Sequence, residues 1–288
     1  MIMNNLANSY KKLSRGLLLF AALLCILSVS CKKTVEDEDQ SQNDGDRVFI
    51  TRYSQYTEIS IGRVVFNMNK VQGGTFQMGT TVERDNQAQL DERIVHDVTL
   101  SDYFIGETEV TQALWDKVIA SNPSNFKGSA LPVENVSYRI VVDTFIPKLN
   151  YMTGLHFRLP TEAEWEFAAR GGTNTQDYRY SGSNSVSEVA WYQSNSDRQT
   201  HPVKGKAFNE LFLCDMSGNV GEWCNDWYDI YTADSQTNPK GPTSGSHRVV
   251  RGGSWVEGER YVRATCRMRY LPGSHNHFVG FRLAMDAE

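Results

Sequence analysis

Arg251-Gly252-Gly253-Ser254-Trp255, running on through VEGERYVRATCRMRYLPGSHNHFV to Gly280-Phe281-Arg282, is the stretch that decides how this chain closes. Arg251-Gly252-Gly253 predicts a backbone driven through positive φ at a tight bend, a region open to glycine without steric cost. Gly280 to Ala284 predicts a short terminal strand with Phe281 as its apolar anchor. Between these ends lie arginines and the pair His275 and His277, with neither a helical nor a strand period. The segment therefore reads as a long loop pinned at both sides, and loops on a rigid scaffold are where function concentrates.

Working outward, 288 residues with a 40% hydrophobic fraction suffice for one large domain or two small ones. Glycine outnumbers proline 22 to 8, and 13 tyrosines, 13 phenylalanines and 6 tryptophans point to irregular segments held by aromatic anchors. A net charge of −5 gives no basic footprint, which excludes nucleic acid as a partner.

Alternation predicts a strand over Val65–Val71, a turn at Gly73-Gly74 and a partner strand over Thr75–Gly79. Thr80 to Arg93 reads as a loop and His96–Leu100 as a further strand. Leu114, Trp115, Val118 and Ile119 fall on one helical face behind Thr111 as N-cap. A second helix is expected from Ser137 towards Gly154, with Pro147 kinking it or ending it early. Thr161 and Glu164 form a capping box for the third helix, which Gly171 stops. Its acidic residues suit the dipole of a first turn better than acid catalysis.

The N-terminus has the anatomy of a secretory signal, with Lys11, Lys12 and Arg15 ahead of an apolar run too short to span a membrane. Small residues before Cys31 resemble a bacterial lipobox, so Cys31 is expected to carry the lipid anchor. Residues 1–30 are then signal peptide, 31–62 an acidic flexible tether, and 63–288 the globular domain. The acidic cluster Glu36–Asp39 resembles an export signal to the outer face of the outer membrane, and reads equally well as a solvated linker.

Asp215-Met216-Ser217-Gly218-Asn219-Val220-Gly221-Glu222-Trp223 sets two carboxylates around a glycine turn, as a hard cation needs, or simply as a turn bonding its own backbone. Together with Gly73–Gly79, Glu109-Val110-Thr111, Pro132–Ser137, Arg158–Glu166, the RGGS bend and the terminal Gly-Phe-Arg, these motifs occur in the order seen in the formylglycine-generating enzyme, or sulfatase-modifying factor, family. The resemblance covers about Val65 to Ala284. It implies an α+β, loop-rich single domain related to the C-type lectin fold, with few helices packed on small sheets.

Active members resembling this chain use copper held by two cysteines to oxidise a sulfatase cysteine, because soft Cu(I) prefers thiolates. The resemblance puts those cysteines three and eight residues after Ser254, where this chain has Glu257 and Val262. Ser254 matches the family's active-site serine, and Gly221 replaces a usual tryptophan. No catalytic set is therefore expected, and copper is not expected as a cofactor. The same resemblance assigns a structural Ca²⁺ to Asp215, Gly218, Val220 and Glu222, with no clear second site at Asn195 to Asp197. Cys214, Cys224 and Cys266 remain in the mature chain; the first two flank the calcium loop as a candidate pair, and Cys266 reads as a buried thiol. The expected function is a lipid-anchored, non-catalytic binder of an envelope protein, peptide or glycan. Trp191, Ser254, Trp255, Glu257, Arg267, Arg269 and His277 are its expected ligand-binding residues. A divergent oxidase acting on a sulfatase, and a structural part of an envelope assembly, are the alternatives.

Overall fold

A computed structural model describes residues 47–287. The expected signal peptide, Cys31 and the acidic cluster lie outside the described residues. Alternating side chains build a five-stranded sheet in the order β1-β2-β3-β6-β14, with β1 Val48–Arg52, β2 Tyr56–Ile61, β3 Val64–Val71, β6 Tyr103–Gly106 and β14 Ala284–Asp286. A second sheet runs β10 (Gln236–Thr237), β5 (His96–Leu100), β4 (Gly74–Met78), and a two-stranded one joins β7 (Ala190–Trp191) to β8 (Ser217–Gly218). The fourth runs β12 (Arg267–Tyr270), β11 (Arg248–Arg251), β9 (Gly221–Trp227), β13 (Val279–Gly280).

Several expectations need correction. Residues 48–61 are not tether: Ile59 and Ile61 of β2 are buried in the core, and this pair of strands extends the main sheet. Nor is β4 the partner of β3, since β3 pairs with β2 and β6 while β4 pairs with β5. Gly73 is there for close passage, because a Cβ on it would lie 2.2 Å from the Leu100 carbonyl oxygen. The closing strand also divides, Val279–Gly280 joining one sheet and Ala284–Asp286 another.

The helices are α1 (Gln112–Val118), α2 (Tyr138–Ile140), α3 (Ile146–Thr153), α4 (Glu162–Ala169) and α5 (Val186–Val189). The Thr111 hydroxyl accepts from Leu114 N, the expected cap of α1. Pro147 does not end its helix early: a π-helical turn over Val141–Phe145 precedes α3, and the proline sits in the first turn of α3, where a missing N–H is tolerated. Trp115, Phe145 and Phe281 pack ring against ring in a first apolar cluster, under one face of the main sheet. A second cluster joins Ile105 and Tyr103 to Trp165, Phe167 and Cys224.

All eight residues of α4 are buried. Its capping box forms as read, and each of its glutamates meets an arginine. Glu164 takes two bonds of 2.7 Å from Arg158, and Glu162 takes bonds of 2.6 and 2.8 Å from Arg267. Glu166 binds Arg251 and Arg170, and its Oε1 accepts from Gly79 N at 2.8 Å. A similar bidentate pair, at 2.6 Å for both bonds, links Arg282 to Glu222, whose Oε2 also accepts from Trp165 Nε1. Arg282 donates onward to the carbonyls of Gly106 and Cys214, tying the terminal segment to β6 and to the loop before β8.

Arg282→Met should lower unfolding free energy by about 3–5 kcal/mol, because Glu222 is left buried and unpaired. Combining it with Glu222→Leu should recover part of that loss. Urea denaturation of the parent and both variants checks this, and a single variant as stable as the parent would contradict it. Asp226 offers a pH test. Burial first, and then the Glu162 charge, push its carboxyl from 3.8 up to about 8 while Oδ2 accepts from Glu162 N. The folded chain then keeps a proton that the unfolded chain releases, so this group makes stability fall as pH rises from 3.8 to about 8. Asp226→Asn should flatten that fall, raising Tm by a few degrees near about pH 9 and little near about pH 4.

Candidate functional site

β11 delivers Arg251, and the chain then turns through Gly252 and Gly253 at φ 92° and 67°, as the sequence predicts. A Cβ at Gly253 would come within 2.5 Å of the Tyr261 carbonyl oxygen, so the bend is packed as well as left-handed. Ser254 follows and is fully buried. Its hydroxyl donates to Glu257 Oε2 in a short bond, and Val256 N donates to the same hydroxyl at 3.3 Å. Burial pushes the Glu257 carboxyl up, and the Ser254 bond opposes this. Val262 lies in a small apolar cluster with Tyr180, Val189 and Ala190. One carboxylate and one aliphatic group supply no thiolate pair, so the donors at these positions do not fit Cu(I).

Trp255 packs edge-on against Phe126 at 5.5 Å, lies 5.5 Å from the His277 ring, and donates through Nε1 to the His277 carbonyl. His277 itself is exposed. Gln193 N donates to the Glu257 carbonyl and Ser196 Oγ to that of Trp255, so residues 193–196 wall the other side. Beneath Phe126, the buried Glu134 accepts from its N–H through Oε1, leaves Oε2 unpartnered, and is pushed by burial to about 7. Phe126 and Gln193 were not singled out from sequence, and Glu134 and Ser196 only as members of the Pro132–Ser137 motif and of the 195–197 stretch; only the fold brings them to Trp255.

Other expected ligand-binding residues are placed elsewhere. Arg267 is buried on Glu162 and stacked on Tyr231, 3.7 Å from the ring centroid, so it has no free face for a ligand. Arg269 projects from the same face of β12 and lies over Tyr228. Trp191 is sandwiched by residues of its own chain, stacked on His201 at 3.8 Å with Lys206 Nζ 4.0 Å from its centroid. The exposed turn after β12 instead helps bound an open concavity of about 570 Å³ with Arg139, Trp227 and Ser246. It lies at the end of the sheet opposite Ser254, since Arg248 pairs with Tyr270 there and Arg251 with Arg267 here.

At the calcium loop the residues converge only in part. Asp215, at φ 59°, accepts from Lys204 N through Oδ2 and leaves Oδ1 buried without a partner. Both oxygens of Glu222 are held by Arg282, so Glu222 does not fit as a ligand. Gly218 and Asn219 also have positive φ. Glu109, which the sequence reading did not assign to this loop, accepts from Val220 N and Asn219 Nδ2. Its carboxyl is pushed well up by burial, then by Asp215 and Glu222. Among the described residues no cluster of three His, Cys, Asp or Glu side chains is arranged to hold a metal.

Cys214 and Cys224 do not pair: with Cys266 they are free and buried. Burial pushes the Cys266 thiol up to about 12, and Gln89 Nε2 donates to its sulfur. A neutral thiol in that setting is a packing group. His275 is exposed and bonded to the Asn135 carbonyl, so this histidine pair lies in an exposed part of the long loop read from sequence.

Comparison with known proteins bears on this frame. The chaperone protein LppX of Paenibacillus barcinonensis is 34% identical over 235 residues, 65% of this chain and 77% of that protein. The formylglycine-generating enzyme of Streptomyces coelicolor is 37% identical over 150 residues, 46% of this chain and 47% of the enzyme. The chain spans 45% of a serine/threonine-protein kinase, pkn1, of Chlamydia caviae, to which it is 30% identical. Among solved structures, Treponema denticola variable protein 1 superposes with a TM-score of 0.73 at 35% identity, over 85% of this chain and 100% of that one. PvdO from Pseudomonas aeruginosa gives 0.66 at 25% identity, over 77% and 94%. Residues 63–287 match the sulfatase-modifying factor enzyme 1-like domain. With the RGGS bend, the Glu222–Arg282 pair and the capped α4 all in place, the chain belongs to the formylglycine-generating, sulfatase-modifying factor family.

Proposed function

We propose that this chain is a membrane-anchored, non-catalytic member of its family that binds a protein, peptide or glycan of the cell envelope. Its binding surface runs along the C-terminal segment from Glu257 to His277, over the buried Ser254 and Trp255 that support it. The observation that carries this reading is the Ser254–Glu257 hydrogen bond together with the buried Val262: the two places where the oxidase frame needs sulfur hold a satisfied carboxylate and a packing group. The Paenibacillus relative is named a chaperone, which speaks of protein binding in that relative. Anchoring rests on the lipobox at Cys31, and an outer-membrane, surface-exposed location on the acidic residues after it. Among the described residues no helix is long and apolar enough to cross a membrane.

The similarity to formylglycine-generating enzymes favours a second reading, a divergent oxidase that processes a sulfatase. A Cys-x-Pro-x-Arg peptide incubated with copper and oxygen separates the two. No aldehyde is expected by mass spectrometry; any aldehyde above the protein-free control would sink the non-catalytic reading. Envelope extracts passed over immobilised protein should yield a partner whose retention falls on Glu257→Ala.

A structural Ca²⁺ belongs to the proposal through Asp215, whose unpartnered Oδ1 would take the ion with carbonyls of Gly218 and Val220, while Glu222 stays on Arg282. The ion would fix the turn and have no part in chemistry. Saturating Ca²⁺ should raise Tm by several degrees over chelator-treated protein, and Asp215→Asn should abolish the difference. Identical melting with and without chelator would remove calcium from the account.

A further inference from the structure

The outer face of the main sheet is bare where β1 and β2 extend it. Phe49 and Val65 are each 56% exposed, and the register Phe49↔Ser60↔Val65 sets them in one row. Asn69, on the same face of β3 as Val65, donates to the carbonyls of Leu211 and Phe212. This lays the 208–212 turn across the far end of that face. From the turn project Phe208 and Phe212, 55% and 63% exposed, with ring centroids 5.1 Å apart. Val65 and Asn69 are four residues apart along the strand, about 13 Å, so both apolar pairs lie on one side of the molecule.

This exposure is enforced by the fold. Phe212 adopts φ 58°, a genuine outlier for a bulky residue. The Asn209 side chain fixes the turn by accepting from Leu211 N and Leu213 N and by donating to the Ala168 carbonyl. Leu211, between the two phenylalanines, packs inward on the second apolar cluster. The charges around the patch are Arg47 and Arg63 beside Phe49, brought together by the bond from Gly62 N to the Arg47 carbonyl, then Glu58, Lys204 paired with Glu107, and Glu210 within the 208–212 turn, whose carboxylate lies back against Gly171.

The course of the chain indicates what covers this face. β1 is the first strand of the described residues, and Phe49 is its second residue. Cys31 lies seventeen residues before Val48, at most about 60 Å of fully extended chain, so a membrane holding Cys31 is within reach of this face. We infer that the face formed by Phe49, Val65, Phe208 and Phe212, edged by Arg47 and Arg63, rests on the phosphate-bearing lipid surface in which the Cys31 anchor is held. The inference rests on the lipid-anchored reading. Aromatic rings seat at the boundary of headgroups and acyl chains, and arginine binds lipid phosphates with paired donors. Such a contact would add a second attachment and fix one orientation of the domain.

The mature chain from residue 31, carrying Cys31→Ser to remove the anchor, should sediment with vesicles of phosphatidylethanolamine and phosphatidylglycerol. Phe208→Ser with Phe212→Ser should lower its partition coefficient about tenfold or more, with an unchanged melting temperature. Arg63→Gln should weaken binding to these vesicles by a larger factor than binding to phosphatidylcholine vesicles, whose phosphates are offset by the choline charge. No sedimentation, or equal partition of the parent and the phenylalanine variant, would overturn the inference. Self-association in the ultracentrifuge without vesicles, abolished by the same phenylalanine changes, would overturn it too by making the face a contact between copies. The anchor is tested separately: a wild-type mature chain whose mass shows no acyl groups on Cys31 would defeat the anchored reading whatever the vesicle result.

Discussion

Arg282 and Glu222 are both removed from water and joined by two parallel hydrogen bonds, and the closure of the domain depends on that pair. A lone buried charge costs several kcal/mol, so neither residue is tolerable in the interior without the other. The pair is also directional. A guanidinium fork meets a carboxylate in a narrow set of geometries, so each such pair fixes where two segments meet. Arg267 with Glu162 and Arg263 with Glu92 repeat the fork between segments 105 and 171 residues apart, and Arg251 meets Glu166 through one bond across 85 residues. In a chain with short strands and long irregular connections, apolar packing leaves much of the register open, and these pairs supply the specification it lacks.

That dependence explains which parts of the fold are legible in the sequence. The capping box of α4, the left-handed bend at Gly252-Gly253 and the alternation of β5 are local, and each depends on neighbours a few residues away. β1 and β2 were hidden by their setting, because half of their side chains face water and an acidic stretch precedes them. The partner of β4 was unreadable for another reason: Gly73-Gly74 resembles a hairpin turn, yet Gly73 serves a close passage past Leu100. Arg267 reads in sequence as a recognition group, because sequence alone does not show that Glu162 in the first turn of α4 faces it.

The site follows the same division. Ser254 with Glu257 and the Trp255–His277 contact lie within one segment and could be anticipated as neighbours, as could the absence of sulfur at 257 and 262. Phe126 and Gln193 reach this place through long-range packing with no local signature, and the motif that holds Glu134 does not show where it packs. Trp191 marks the opposite error. An exposed-looking tryptophan is a plausible ligand platform in sequence, but here His201 and Lys206 already occupy its ring.

The frame and the chemistry of this fold are therefore separable. Arg251 is held by Glu166 and by the carbonyls of Thr265 and Cys266, without reference to positions 257 and 262, and only the glycine bend after it packs against Val262. Those two side chains can change without disturbing the pairs that close the domain. Each has found a local use: Val262 adds apolar burial beside Tyr180 and Val189, and Glu257 receives the hydroxyl of the serine it follows. A surface on such a frame can change side chains and keep its shape, because shape rests on ion pairs anchored elsewhere in the core.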